Sequence, residues 1–146
     1  MIISPNMKKT YPTLSTWIND NLPKVRKKVK VFTAFIKYSE QSKLKSNEAL
    51  TKGNQPTIDF RVMPDANGEF EGGKFPNTVF LAKQICEKFE KNAADQKNAK
   101  MHILLESTLL HEMVHWGDWK DGVDQAGEEG KAFEIAAYGK DIDRYW

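Results

Sequence analysis

The sequence predicts an α+β domain, mainly helical, with a small sheet set between two helical regions. Three observations carry this. The run from Met101 to His115 repeats its apolar residues at helical spacing, without Gly or Pro. The stretch Thr57 to Met63 alternates and is rich in β-branched residues, as strands are. Helical patterns lie both before and after it. At 146 residues the chain is the size of one domain with its own core, so residues 1–146 are taken as a single unit.

The elements follow in order. A first helix is expected over Leu14 to Asn21, with Pro12 before it and Pro23 ending it. A second is expected from Lys24 to Ser39. Residues 41–55 are polar, with a turn at Gly53-Asn54. The strand Thr57 to Met63 follows, then turns at Asp65-Ala66-Asn67-Gly68 and Gly72-Gly73, then a strand over Thr78 to Leu81. A helix over Lys83 to Lys91 comes next. Polar residues 92–100 lead into the long helix, which Gly117 is expected to stop. A last helix is expected over Glu128 to Tyr138.

Composition narrows the class. Forty per cent apolar and 29% charged residues are ordinary for a globular chain. No apolar run approaches the ~20 residues of a membrane span. The first residues contain no apolar h-region, so no signal peptide is visible and location is left open; export by a dedicated secretion system remains compatible. A single Cys excludes an internal disulfide, and Cys86 is expected to be a small packing residue. Net charge is +2 but uneven: residues 1–52 hold eleven Lys/Arg against three acids, and the remainder eleven against seventeen. The cluster Lys24 to Lys30 could touch nucleic acid or acidic lipid. A solvated helix face, with Val25, Val29 and Phe32 turned inward, is the favoured reading, because no base-stacking motif accompanies the cluster.

The chemistry lies in His111-Glu112-Met113-Val114-His115, an H-E-x-x-H box that uses two of the three histidines. Residues four apart share a helix face, so both imidazoles can point at one divalent ion. Glu112 is placed to reach a water on that ion, the arrangement of a zinc hydrolase. The box continues the apolar stripe of Met101, Leu104, Leu105 and Thr108, and histidines on such a face need partners. The third histidine, His102, falls on another face and is expected to be exposed.

A catalytic zinc takes three protein ligands and keeps a fourth place open. Four downstream carboxylates compete for the third. Glu134 follows His115 after eighteen intervening residues. On a helical wheel it shares an arc with Gly130, Phe133 and Ala137, whose small members would let this helix press close to the first. Glu129, Glu128 and Asp121 are the rivals, and Glu134 is preferred. Cys86 is a lesser alternative. Asp118 faces the side of both histidines and could accept a ring N–H, as metal-bound histidines require. Tyr138, one turn beyond Glu134, is a weak candidate for an oxyanion donor.

These motifs resemble the zincin metallopeptidases. The x18 spacing to Glu134 is similar to that of aminopeptidase-N-like gluzincins, and Glu128-Glu129-Gly130 resembles the Glu-x-Gly of thermolysin-like enzymes. Asp121 stands where snapalysin-like enzymes place their third ligand, although Asp118 replaces a glycine of that pattern. The box with the later Glu-x-Gly-x-x-Phe-Glu segment resembles the metallopeptidase domains of bacterial polymorphic toxins and secreted effectors. The resemblance covers residues ~101–140. It implies a zincin-like fold whose box helix packs against a C-terminal ligand helix, a Zn²⁺ cofactor held by His111, His115 and Glu134, Glu112 as the base, and a protein or peptide substrate. It also implies an immunity protein if the chain is a toxin, and an edge strand that holds the substrate, with Thr78 to Leu81 as the candidate. The competing class is a non-catalytic zinc-binding module or a basic nucleic-acid-binding module. A closed structural site is disfavoured by the lack of a second Cys.

Overall fold

The structure is a computed structural model, and it describes residues 1–120 and 129–146. It is α+β and mostly helical, with one four-stranded sheet. The elements in order are β1 (Ile2–Ile3), α1 (Pro5–Thr10), α2 (Pro12–Asn21), a 3-10 helix (Leu22–Lys27), α3 (Val29–Ser39), α4 (Lys43–Ala49), β2 (Thr57–Arg61), β3 (Gly68–Phe70), β4 (Thr78–Ala82), α5 (Lys83–Lys91), α6 (Ala93–Gln96), α7 (Ala99–Trp119) and α8 (Glu129–Tyr138).

The N-terminal region departs most from the sequence expectation. Pro5 and Pro12 open α1 and α2, at the position where proline's fixed φ and missing N–H cost nothing. Ser4 caps α1 by accepting from the Met7 amide at 3.0 Å. The single helix expected from Lys24 to Ser39 is two elements, broken at Lys28, whose ψ of 87° is not helical. Val25 and Phe32 are buried as expected, whereas Val29 is 79% exposed. α4 occupies part of the stretch read as polar connection, started by the Ser42 side chain accepting from Lys45 N at 3.1 Å.

The sheet runs β1-β2-β4-β3. β1, β2 and β4 are parallel, and β3 is antiparallel to β4. This corrects the expected edge strand. Thr78 to Leu81 lies inside the sheet, paired with β2 on one side and β3 on the other. Four of the five β4 residues are buried, as an interior strand requires. The edge beside the box helix is β3, only three residues long, in a stretch whose Asn-Gly start reads as a turn.

α7 packs across β3 and β4, and α8 packs on both α3 and α7. α7 does not stop at Gly117. A Cβ there would lie 2.9 Å from both Ser39 Cβ and Ser39 O, so this glycine lets α3 and α7 touch within a continuing helix. The core gathers Phe35, Phe89, Phe133, Leu104, Leu105, Leu110 and Met113 around α7. No helix of the described residues is long and apolar enough to cross a membrane.

Candidate active site

α7 delivers the box. Met101, Leu104, Leu105 and Thr108 are buried, fixing the helix's rotation, while His111 and His115 emerge half-buried one turn apart. Their ring centroids are 5.1 Å apart. α8 supplies the opposite wall. Its buried residues are Gly130, Phe133, Glu134 and Ala137, the arc drawn from the sequence. A Cβ on Gly130 would lie 2.1 Å from His111 Nε2, so only glycine lets α8 approach the imidazole this closely.

Two α8 carboxylates meet the two histidines. Glu134 Oε1 lies 2.7 Å from His111 Nδ1, and Glu134 Oε2 accepts from the Ile142 amide at 2.7 Å. Glu129 Oε2 lies 3.7 Å from His115 Nδ1. That oxygen is buried and has no hydrogen-bond partner among the described residues. Asp121 and Glu128 lie outside the described residues.

Glu112 is 8% exposed. Burial pushes its carboxyl up to about 7, and Glu69 and Glu134 push the same way, against the opposing pull of His111 and of the Phe70 amide that hydrogen-bonds it. The amide ties this carboxyl to edge strand β3. His111 Nε2 is 4.0 Å from Glu112 Oε1.

Asp118 is fully buried on α7. Cys86 is buried in the core on α5, where burial pushes its thiol far up, and it lines neither cavity at the histidines. The Tyr138 hydroxyl donates to Glu106 at 2.7 Å. His102 is half-buried rather than exposed, stacked on Trp17 at 5.2 Å and bonded to Gln96 O at 2.7 Å. Lys28 of the basic cluster pairs with Glu106 at 2.5 Å.

Two cavities meet at the box, sharing Gly68, His111 and Glu112. The larger, about 470 Å³, is walled by the β2–β3 turn, α8 and the C-terminal residues Asp141 to Asp143. Arg144 pins that wall by donating to Asn67 Oδ1 at 2.9 Å and Ala66 O at 2.8 Å. Sequence reasoning passed over this C-terminal stretch, which has no periodicity, and passed over β3. The smaller cavity, about 280 Å³, follows β3 toward Gly72 and ends on Trp119.

A family model described as metallopeptidase toxin 3 (Tox-MPTase3) matches residues 7–139. The chain belongs to this family of toxin metallopeptidases. No curated protein and no solved structure matches it. Membership makes the chain an enzyme class that cleaves peptide bonds and implies a divalent metal. It also extends the resemblance well beyond the box, across α2 to α6, where no motif was legible.

The side chains at the box fit such an ion by donor chemistry: two imidazoles, the buried carboxylate of Glu134 and the half-buried one of Glu129. The Glu129 Oε2, buried and without a hydrogen-bond partner among the described residues, supports that fit. Among the described residues, no three His, Cys, Asp or Glu side chains already surround one point as ligands do. The Glu134–His111 hydrogen bond instead closes that pair on itself.

Proposed function

We propose that this domain is a zincin-like, zinc-dependent endopeptidase in which His111, His115 and a carboxylate of α8 hold the ion and Glu112 is the general base. The observation that carries the reading is Glu112 itself. It is a buried carboxylate set between the two box histidines in sequence, hydrogen-bonded to edge strand β3 and opening on both cavities, where an attacking water can reach it.

Of the two α8 carboxylates, the sequence spacing favours Glu134. Hydrogen bonding supports Glu129. Both Glu134 oxygens are engaged, one by His111 Nδ1 and one by a backbone amide. Metal-bound histidines commonly give their second nitrogen to such a carboxylate, which orients the ring. Glu129 has an oxygen to offer. The proposed roles are therefore Glu129 as third ligand and Glu134 as the group that orients His111, with Glu134 as third ligand the alternative.

Zinc, when bound, supplies Lewis-acid activation of the scissile carbonyl and of water. The chain supplies the rest. Glu112 takes the proton of the attacking water and returns it to the leaving amine nitrogen, which its burial suits it to do in both directions. β3 ends the sheet, so an extended peptide can add to its outer edge as a further strand, taking over the Phe70 amide that Glu112 holds. The toxin family suggests a protein substrate in a target cell and an immunity protein in the producer; both belong to this proposal.

The test is direct. Purified protein loaded with zinc should cleave an unfolded protein substrate, and Glu112→Gln should retain zinc and lose cleavage. Full activity in Glu112→Gln would remove the assigned base. Unchanged zinc stoichiometry in His111→Ala and His115→Ala would remove the assigned ligands.

A further inference from the structure

We propose that the cavity between β3 and the end of α7 is a specificity subsite that seats one large apolar side chain of the substrate, with Phe70 and Trp119 as its determinants. This rests on the peptidase reading above.

The two cavities are strung along β3. The larger one reaches the strand from residues 65–68, the smaller one leaves it through residues 68–72, and both touch His111 and Glu112. A peptide added to the β3 edge therefore passes the base with one neighbour facing each cavity. Their chemistries differ. The larger cavity carries Asp65 and Asp141, neither of which has an ion pair among the described residues. In the smaller cavity the one flanking charge outside the box, Glu69, is drawn to Arg61 at 2.9 Å.

What remains in the smaller cavity is aromatic and fixed in place. Trp119 is 38% exposed, whereas Trp116, three residues earlier on the same helix, is 4% exposed. The indole is held edge-to-face by Phe70, with ring centroids 6.4 Å apart at 66°. Gly72 lies against it so closely that a Cβ would sit 2.5 Å from Trp119 Cδ2. The cavity is about 280 Å³, part of it over the box itself, which leaves room for a side chain beside the reacting centre. A large apolar side chain there would cover the ring surface that the fold leaves open to water.

The experiment uses peptides that differ only in carrying Phe or Ala at successive positions. Cleavage by the zinc-loaded wild type gives kcat/KM ratios, and binding to Glu112→Gln gives Kd ratios. The wild type should prefer Phe by about tenfold or more at one position beside the scissile bond. Trp119→Ala should collapse that ratio, lowering kcat/KM for the Phe peptide much more than for the Ala peptide. Gly72→Ala, which keeps the indole but displaces it, should lower the ratio too, and thermal melting should show both variants folded. If Trp119→Ala does not fold, Gly72→Ala and Trp119→Leu decide on the same ratio. Cleavage without a Phe preference, or with a preference untouched by these substitutions, overturns the subsite and leaves the peptidase reading standing. A Phe preference in binding, lost in the variants, with no cleavage of any peptide, upholds the subsite and overturns the peptidase reading. Neither binding nor cleavage overturns both.

Discussion

α7 buries two glutamates six residues apart, and they differ in what surrounds them. Glu106 is 7% exposed and Glu112 is 8% exposed. Glu106 is met by a lysine and a phenol: Lys28 Nζ at 2.5 Å and the Tyr138 hydroxyl at 2.7 Å. It ties the start of α3 and the end of α8 to α7. Glu112 has a backbone amide and a nearby imidazole, with two further carboxylates pushing against its ionised form. Equal burial therefore yields different chemistry. The first carboxylate is supplied with the cation and donor that burial demands. The second is kept short of them, and a buried group kept short of partners in a cleft marks a site.

The largest test of this contrast is activity. Glu112→Gln should reduce cleavage by about 10² to 10⁴-fold, the range of general base catalysis. Glu106→Gln should leave kcat/KM within a few-fold once the protein is folded. Initial rates on one protein substrate, with zinc content measured on the same samples, check both. Equal losses in the two variants would erase the distinction.

A second test reads the strain on Glu112 through stability. Burial holds its carboxyl at about 7 in the fold against the ordinary 4.5, so the folded state favours the protonated form. Below pH 4.5 the group is protonated in both states and costs nothing. As pH rises from 4.5 through 7 the unfolded chain gives up this proton before the fold does, and up to about 3 kcal/mol of stability is lost. In chelator, Glu112→Gln should therefore melt higher than the wild type at pH 8, and the gap should close by pH 4. A gap independent of pH would deny the strained carboxyl.

The same contrast marks what the sequence made legible. The site helix and the α8 arc of Gly130, Phe133, Glu134 and Ala137 were readable because period and burial coincide there. Both carboxylates that meet the histidines were named from the sequence, where spacing puts Glu134 first; the proposal that puts Glu129 first rests on hydrogen bonds that spacing does not report. β3 was unreadable because three residues cannot display a period, and the edge was assigned to the hydrophobic strand that interior pairing makes hydrophobic. The start of α2 was set late because Pro12 was placed before the helix, and α1, only six residues long, drew no assignment; Pro5 and Pro12 both open helices. Glu106 drew no notice, since its partners come from Lys28 and Tyr138, far away in sequence.

A third test separates the α8 carboxylates. Removing an orienting partner of a metal-bound histidine typically weakens binding by 10–100-fold. Glu134→Ala should do this and still bind zinc at saturating metal, whereas Glu129→Ala should lose stoichiometric binding. Titration with a chromophoric chelator measures both. The opposite order would restore Glu134 as third ligand and make Glu129 the outer group.

The smallest effect belongs to the well-partnered side. Tyr138→Phe removes one hydroxyl donor to Glu106 and leaves the ring against Phe133, where the centroids are 6.1 Å apart. Lys28 remains to meet the carboxylate, but its side chain is 53% exposed, so the ion pair is shared with water and cannot take over the phenol's part fully. The loss should be about 1 to 2 kcal/mol, the scale of a hydrogen bond to a charged group, measured by urea unfolding. Zinc affinity and kcat/KM should not follow it. If Tyr138→Phe instead lowered kcat without lowering stability, the phenol would be acting at the reacting centre, and the division between the two glutamates would have been drawn in the wrong place.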